Sequence, residues 1–83
     1  MSKARQTTVS IVDVGSSKIV CFIAKISPSG RIEITGIGHN VSNGMRAGKI
    51  IDIKAAELSI LQAVESAEKM AGERVKKVFV TIS

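Results

Sequence analysis

The sequence predicts a mixed α/β fold in which four strands and one helix follow one another in the order β-β-β-α-β. Short runs rich in Val and Ile alternate with clusters of Gly, Ser and Pro, which is typical of strands joined by turns. One later stretch, residues 53–71, instead repeats its apolar residues at helical spacing. The chain of 83 residues is 45% apolar and 23% charged, a composition that favours a single folded domain over a disordered chain.

The first two predicted strands are residues 8–14 and 18–26. The first is rich in β-branched side chains and stops at Gly15. The second has apolar residues on both of its faces, so we expect both faces to be covered. Residues 1–7 precede these strands and are predicted to form a flexible tail.

The third predicted strand is residues 31–36, which follow a Ser-Pro-Ser-Gly turn. Apolar and polar side chains alternate along it, which is typical of an edge strand with one face in solvent. The Gly-containing passage 38–51 is too irregular for a long element, and only residues 49–51 are expected to be briefly extended.

The predicted helix runs from residue 53 to residue 71. Asp52 is a suitable N-cap and Gly72 a suitable C′ residue. A last strand, residues 77–82, returns parallel to the first through a right-handed crossover. The predicted strand order is 3-2-1-4, with the first strand in the middle. One helix cannot cover both faces of this sheet, so we expect a bare face and a piece of a larger protein.

Charge and cysteine content exclude few function classes. The net charge is +5, but the basic residues are spread along the chain, and the only aromatic residues are Phe22 and Phe79. Single-strand binders use stacked aromatic side chains, so we expect a solvated basic surface and no nucleic-acid binding. The single Cys21 is predicted to be a buried thiol, and His39 a surface residue without metal-ligand neighbours.

The turn after the first strand is the candidate site, with Asp13 before it and Gly15, Ser16, Ser17 and Lys18 in it. Backbone N–H groups, two hydroxyls and a cation can bind a phosphate, and the carboxylate can hold a metal ion directly or through water. Hairpin turns also use Gly and Ser for geometry alone. The turn by itself therefore fits either a phosphate site or a structural hairpin. We predict no catalytic residue, because the sequence has no nucleophile–base set.

Two motifs together resemble the FtsA family of bacterial cell-division proteins, within the superfamily of actin, heat-shock chaperones and sugar kinases. Residues 12–18 resemble that family's Asp-Ile-Gly-Thr/Ser-Ser-Lys turn, with Val14 in place of the usual Ile. Residues 42–52 resemble its Ser-x-Gly-Met-x-x-Gly-x-Val/Ile-x-Asp segment. The resemblance implies that residues 8–83 are the first part of subdomain 1A, a partial actin/ribonuclease-H-like subdomain that stops before the family's inserted subdomain.

The resemblance also implies a cofactor, ATP with magnesium. Gly15, Ser16, Ser17 and Lys18 would contact its β- and γ-phosphates, and Asp13 would orient the magnesium ion through water. The rest of the cleft lies outside this chain. We therefore expect the isolated chain to bind ATP weakly and to have no catalytic activity, with at most a weak ATPase in the full-length protein.

The implied function is to anchor FtsZ filaments to the membrane and help assemble the septum. The implied partners are FtsZ, other division proteins, further copies of the same protein, and the inner face of the cell membrane, reached from the cytoplasm through a C-terminal helix outside this chain. Three alternatives remain: a pilus-assembly actin homologue, a phosphotransferase of the sugar-kinase or exopolyphosphatase type, and a free-standing basic interaction module.

Overall fold

The computed structural model describes residues 6–83, which form one mixed sheet with a helix on one face. The elements are β1 Thr7–Val14, β2 Lys18–Ile26, β3 Ile32–Val41, the short strands β4 Met45–Arg46 and β5 Lys49–Ile50, the helix α1 Ile53–Ala71, and β6 Val78–Ile82. The four-stranded sheet has the order β3-β2-β1-β6, and β4 pairs with β5 in a separate hairpin. The predicted order 3-2-1-4 is confirmed, with β6 as the fourth predicted strand.

β1 lies in the middle of the sheet and pairs in both directions. It runs antiparallel to β2, with Val12 opposite Cys21, and parallel to β6, with Val12 opposite Val80. The parallel pairing requires a crossover, which α1 supplies. The predicted tail is residues 1–7. Residues 1–5 lie outside the described residues, and Thr7 belongs to β1.

The core is aliphatic and lies between α1 and one face of the sheet. A cluster of small and branched side chains fills it: Val12, Val14, Ile19, Cys21, Ile23, Met45, Ala63 and Ala67. The predicted apolar stripe of the helix is confirmed, because Ala56, Ala63 and Ala67 are buried. Met45 comes from the β4–β5 hairpin, so the hairpin is fixed to the core by its first residue.

Both predicted caps of α1 are confirmed. The Asp52 carboxylate accepts a hydrogen bond from the Ala55 amide at 3.1 Å, which satisfies one of the free amides of the first turn. At the other end Gly72 takes a left-handed conformation with φ of 76°, and its amide donates to the Glu68 carbonyl at 2.8 Å. Helix position and length are thus set by local sequence.

β3 is longer than the sequence predicted. It continues from Ile32 to Val41, whereas residues 38–41 were expected to be irregular. The reason is that Gly36 and Gly38 lie directly beneath α1. A Cβ on either residue would overlap the helix backbone, at the Ala67 carbonyl oxygen for Gly36 and the Ala63 carbonyl oxygen for Gly38. These glycines permit close contact between helix and strand and do not interrupt the strand.

The sheet face away from α1, which we call the open face, is exposed. It carries apolar side chains from three strands, including Ile11, Ile34 and Phe79, which are 40%, 52% and 56% exposed. The expected bare face is therefore confirmed. The prediction that both faces of β2 are covered is wrong for the open face, where Val20 and Phe22 are only half-buried, because no described element packs over them.

Candidate functional site

The turn between β1 and β2 lies at the carboxyl end of β1. Since β6 runs parallel to β1, its carboxyl end reaches the same edge of the sheet. The Ser83 amide there donates to the Val14 carbonyl at 3.0 Å. Ligands of open α/β sheets bind in the crevice outside the carboxyl ends of the strands. The topology therefore brings Asp13, the turn and the end of β6 to one sheet edge.

The backbone of the turn leaves two amides free. The Gly15 amide donates to the Lys18 carbonyl at 3.0 Å and closes the turn, and the Ser17 carbonyl accepts from the Ser42 amide at 3.0 Å. Among residues 6–83 no acceptor pairs with the amides of Ser16 and Ser17. Successive free amides in a turn make an anion-binding concavity.

Ser16 is held by the β4–β5 hairpin. Its Oγ accepts a hydrogen bond from the Gly48 amide at 3.2 Å. A hydroxyl that accepts in this way keeps its own O–H for a further acceptor. The contact joins the two motifs of the sequence, which lie 32 positions apart. Sequence reasoning missed it because a hairpin as short as β4–β5 leaves little periodic pattern.

Asp13 is exposed and lies on the open face, since its neighbours Val12 and Val14 point into the core. Its Oδ1 accepts a hydrogen bond from Thr81 Oγ1 at 3.0 Å. Thr81 is its parallel partner in β6. Sequence reasoning did not single out Thr81, although a polar residue in the otherwise apolar run 78–82 was a usable signal once the register of the two strands was considered.

Lys18 begins β2 with an exposed side chain. No carboxylate among residues 6–83 forms an ion pair with Lys18. The ion pair in this part of the chain joins Lys25 Nζ and Glu73 Oε2 at 3.6 Å. An unpaired, solvated cation beside free amides is suited to a phosphate oxygen. All five residues predicted for the site therefore lie at one sheet edge, and Ser16, Ser17 and Lys18 face solvent.

The turn lies on an exposed part of the surface, since Ser16, Ser17 and Lys18 face solvent. A concavity of about 630 Å³ lies elsewhere, at the C-terminal end of α1 beside Glu68 and Arg74, and no turn residue lines it. Hydrogen-bond donors that face solvent on one side only are the geometry expected for half of a cleft.

The rest of the second motif has a structural role. The Gly44 carbonyl accepts hydrogen bonds from the amides of Ile51 and Asp52, at 2.7 and 3.1 Å. These bonds close the β4–β5 hairpin against the start of α1. Ser59 Oγ accepts from the Asn43 amide at 3.1 Å. The motif thus fixes the hairpin that in turn contacts Ser16.

The side chains and amides at this edge fit a magnesium ion bound together with a nucleotide better than a metal ion held by protein side chains alone. No group of three or more His, Cys, Asp or Glu side chains in the part of the chain that the structure describes is arranged to hold a metal ion. Magnesium is usually held by one or two carboxylates together with water and phosphate oxygens. Asp13 offers one carboxylate, and the turn beside it offers free amides for phosphate oxygens. These residues therefore fit a nucleotide with a magnesium ion.

The fold and the position of the turn define the class of protein. The described residues resemble a solved structure, the diol dehydratase-reactivating factor in nucleotide-free form, with a TM-score of 0.71 and 17% sequence identity over 89% of this chain and 12% of that one. At this identity the likeness shows the fold alone. The chain shares the mixed α/β fold of that structure over most of its length.

Sequence comparison then gives the family. The cell division protein FtsA of Agrobacterium fabrum is 38% identical over 93 residues, which cover 100% of this chain and 21% of that protein. FtsA of Rhizobium meliloti is 39% identical, covering 95% and 20%, and FtsA of Pseudomonas aeruginosa is 35% identical, covering 87% and 17%. The chain belongs to the FtsA family and spans about a fifth of the length of these relatives.

Two further comparisons complete the description. The chain matches none of the protein-family models against which it was compared. Among the described residues, no helix is long and apolar enough to cross a membrane.

Proposed function

We propose that this chain is the N-terminal part of an actin-like cell-division protein and supplies one wall of its ATP site. Gly15, Ser16, Ser17 and Lys18 bind the β- and γ-phosphates, and Asp13 holds magnesium through water. The observation that carries this proposal is the set of polar groups at the carboxyl end of β1. Two unpaired amides and an exposed lysine are the donors, and the Asp13 carboxylate on the same edge is the acceptor.

Each residue type has a defined task in this proposal. The amides of Ser16 and Ser17 donate to phosphate oxygens. The Ser16 hydroxyl oxygen accepts from the Gly48 amide and keeps its own O–H to donate to the phosphate. Lys18 offsets phosphate charge without first breaking an ion pair. Asp13 orients water around the cation. Bound magnesium neutralises phosphate charge.

Two variants of the full-length protein test the site. Asp13→Ala and Asp13→Asn remove the carboxylate, and each is expected to weaken the affinity for ATP with magnesium by at least about tenfold, the effect typical of losing a group that supports a metal. Equilibrium binding by calorimetry measures it. Glu33→Gln is the matched control, since it removes an exposed carboxylate from β3. Equal affinity in the Asp13 variants and the control would contradict the assignment.

The cell-division role is supported by the relatives, which are all named cell division protein FtsA. We propose that the full-length protein binds FtsZ filaments, polymerises, and attaches to the inner face of the membrane, where it helps to assemble the septum. A fluorescent fusion of the full-length protein should concentrate at the division site. A diffuse cytoplasmic signal in dividing cells would count against this role.

The alternatives are less well supported. A pilus-assembly homologue or a phosphotransferase shares the actin-like fold, but the relatives at 35–39% identity are FtsA proteins. A free-standing basic module would use its charge on nucleic acid or lipid, and its binding would fall steeply with salt. The donors gathered at one sheet edge favour a phosphate ligand instead.

A further inference from the structure

Thr81 is the residue that fixes the Asp13 side chain. The two residues are directly opposite in the parallel pairing of β1 with β6, and the hydroxyl oxygen of Thr81 lies 3.0 Å from Asp13 Oδ1. In the described part of the chain no other side chain or amide donates to this carboxylate. Its orientation is therefore set by a single hydrogen bond.

The Thr81 hydroxyl has one hydrogen and two acceptors within reach. The Val12 carbonyl oxygen is 3.4 Å away, while the carboxylate oxygen is 3.0 Å away. The carboxylate is both closer and charged, and hydrogen bonds to ionised acceptors are stronger than those between neutral groups. The hydrogen therefore goes to Asp13.

This arrangement leaves Asp13 with one oxygen held and one oxygen free. An exposed aspartate otherwise samples several rotamers, and a carboxylate that holds a metal ion through water must give up that freedom when the ion binds. A donor that holds one oxygen removes part of this cost before the ligand arrives. Partners of this kind orient metal ligands in many proteins.

We propose that Thr81 is a positioning residue for Asp13 and presents its carboxylate to the magnesium ion of the nucleotide. The inference rests on the proposed function, in which Asp13 serves the metal. Thr81 touches neither the metal nor the phosphates and acts through Asp13 alone. The competing explanation is that the pair only stabilises strand pairing, as polar cross-strand pairs do.

The test compares binding with and without magnesium in the full-length protein. Thr81→Val keeps the β-branched shape and removes the hydroxyl. We expect about tenfold weaker affinity for ATP with magnesium, but unchanged affinity for ATP in the presence of a chelator. Thr81→Ser keeps a hydroxyl and should bind like the unmodified protein.

Thr35→Val is the matched control. Thr35 also lies in a strand, but among residues 6–83 its hydroxyl donates only to the Ile23 carbonyl, at 3.4 Å. Its substitution should leave both affinities unchanged. If Thr81→Val disturbs folding, the pair Thr81→Ser and Thr81→Ala repeats the comparison, since the two differ by the hydroxyl alone.

The outcomes separate this inference from the proposed function. If the unmodified protein binds ATP equally well with and without magnesium, the role of Asp13 is wrong and the inference falls with it. If magnesium strengthens binding equally in the unmodified protein and in Thr81→Val, only the inference is overturned. If Thr81→Val weakens the affinity for ATP equally with and without magnesium, the role of Thr81 is purely structural, and the inference is also overturned.

Discussion

The buried cysteine is a residue whose chemistry depends on the fold. Cys21 is fully buried in the core under α1. Burial raises the pKa of the Cys21 thiol above 9.0, the nearby Glu68 carboxylate acts in the same direction, and the Ser10 hydroxyl partly offsets them. Ser10 Oγ lies 3.1 Å from the sulfur. The folded protein therefore keeps this thiol protonated and unreactive.

A pH dependence follows from the raised pKa. Above pH 9.0 an unfolded Cys21 loses its proton while the folded thiol keeps it. The unfolded state then binds fewer protons, so the free energy of unfolding falls as pH rises from 9.0 through the folded pKa. Below pH 9.0 the contribution is fully present. Denaturant unfolding between pH 7 and 10 should show a steeper alkaline loss in the unmodified protein than in Cys21→Ala. Parallel pH profiles would contradict this prediction.

At the scale of single residues, the sequence was informative about chemical type but not about partners. An acidic residue that ends an apolar strand, followed by a turn with hydroxyls and a cation, has the chemistry to bind a metal ion and a phosphate. This chemistry is why the sequence could select Asp13, Gly15, Ser16, Ser17 and Lys18. Their partners were harder to find. Thr81 carries only the signal of a polar residue in an apolar strand, and Gly48 carries none, because each contact depends on a register or a loop path that the folded chain defines.

Among the elements, α1 depends on two glycines of β3. Gly36 and Gly38 leave no room for a side chain beneath the helix backbone. A methyl group at either position must push α1 away from the sheet, and overpacking of this kind typically costs about 1–3 kcal/mol.

We therefore expect Gly38→Ala to lower the free energy of unfolding by about this amount. His39→Ala is the control, because His39 is the adjacent residue of the same strand and is exposed. It should change stability little. Thermal or denaturant unfolding of the two variants measures the difference. Equal stability would mean that the helix is not held as close to β3 as the structure indicates.

The elements differ in how far the sequence predicted them. The helix was predicted from residue 53 to residue 71 and observed there, because its caps and period are local signals. The predicted end of β3 was wrong. Glycines such as Gly36 and Gly38 usually indicate the end of a strand, but here they allow close contact between β3 and α1. A glycine in a sequence does not reveal whether it serves a turn or a close approach.

For the whole molecule, the open face is the dominant property. It exposes apolar side chains of β1, β3 and β6, and the strand register places Ile11 between Phe79 of β6 and Phe22 of β2. Soluble monomers rarely expose large connected apolar patches.

The apolar residues of β3 illustrate the limit of sequence reasoning, since Ile32 and Ile34 alternate with polar residues as core-facing positions do, yet they lie on the exposed side.

The isolated 83-residue chain is therefore expected to self-associate and to bind a hydrophobic dye. Dye fluorescence and gel filtration measure these properties, with circular dichroism to verify that the helix is formed. The full-length protein is the comparison and should bind less dye per molecule, because we expect its further residues to cover the face. A monomeric isolated chain that binds no dye would contradict this expectation.

The hydrogen bond between Thr81 and Asp13 also has a consequence for synthesis. It joins residues 68 positions apart, and contacts between distant positions form late and slowly. While the chain emerges from the ribosome, β1, β2 and β3 can pair with their sequence neighbours long before β6 appears. The carboxylate of Asp13 thus remains unrestrained through most of translation and acquires its fixed orientation only when residues 78–82 join the sheet. Completion of the sheet and maturation of the site are then the same folding event.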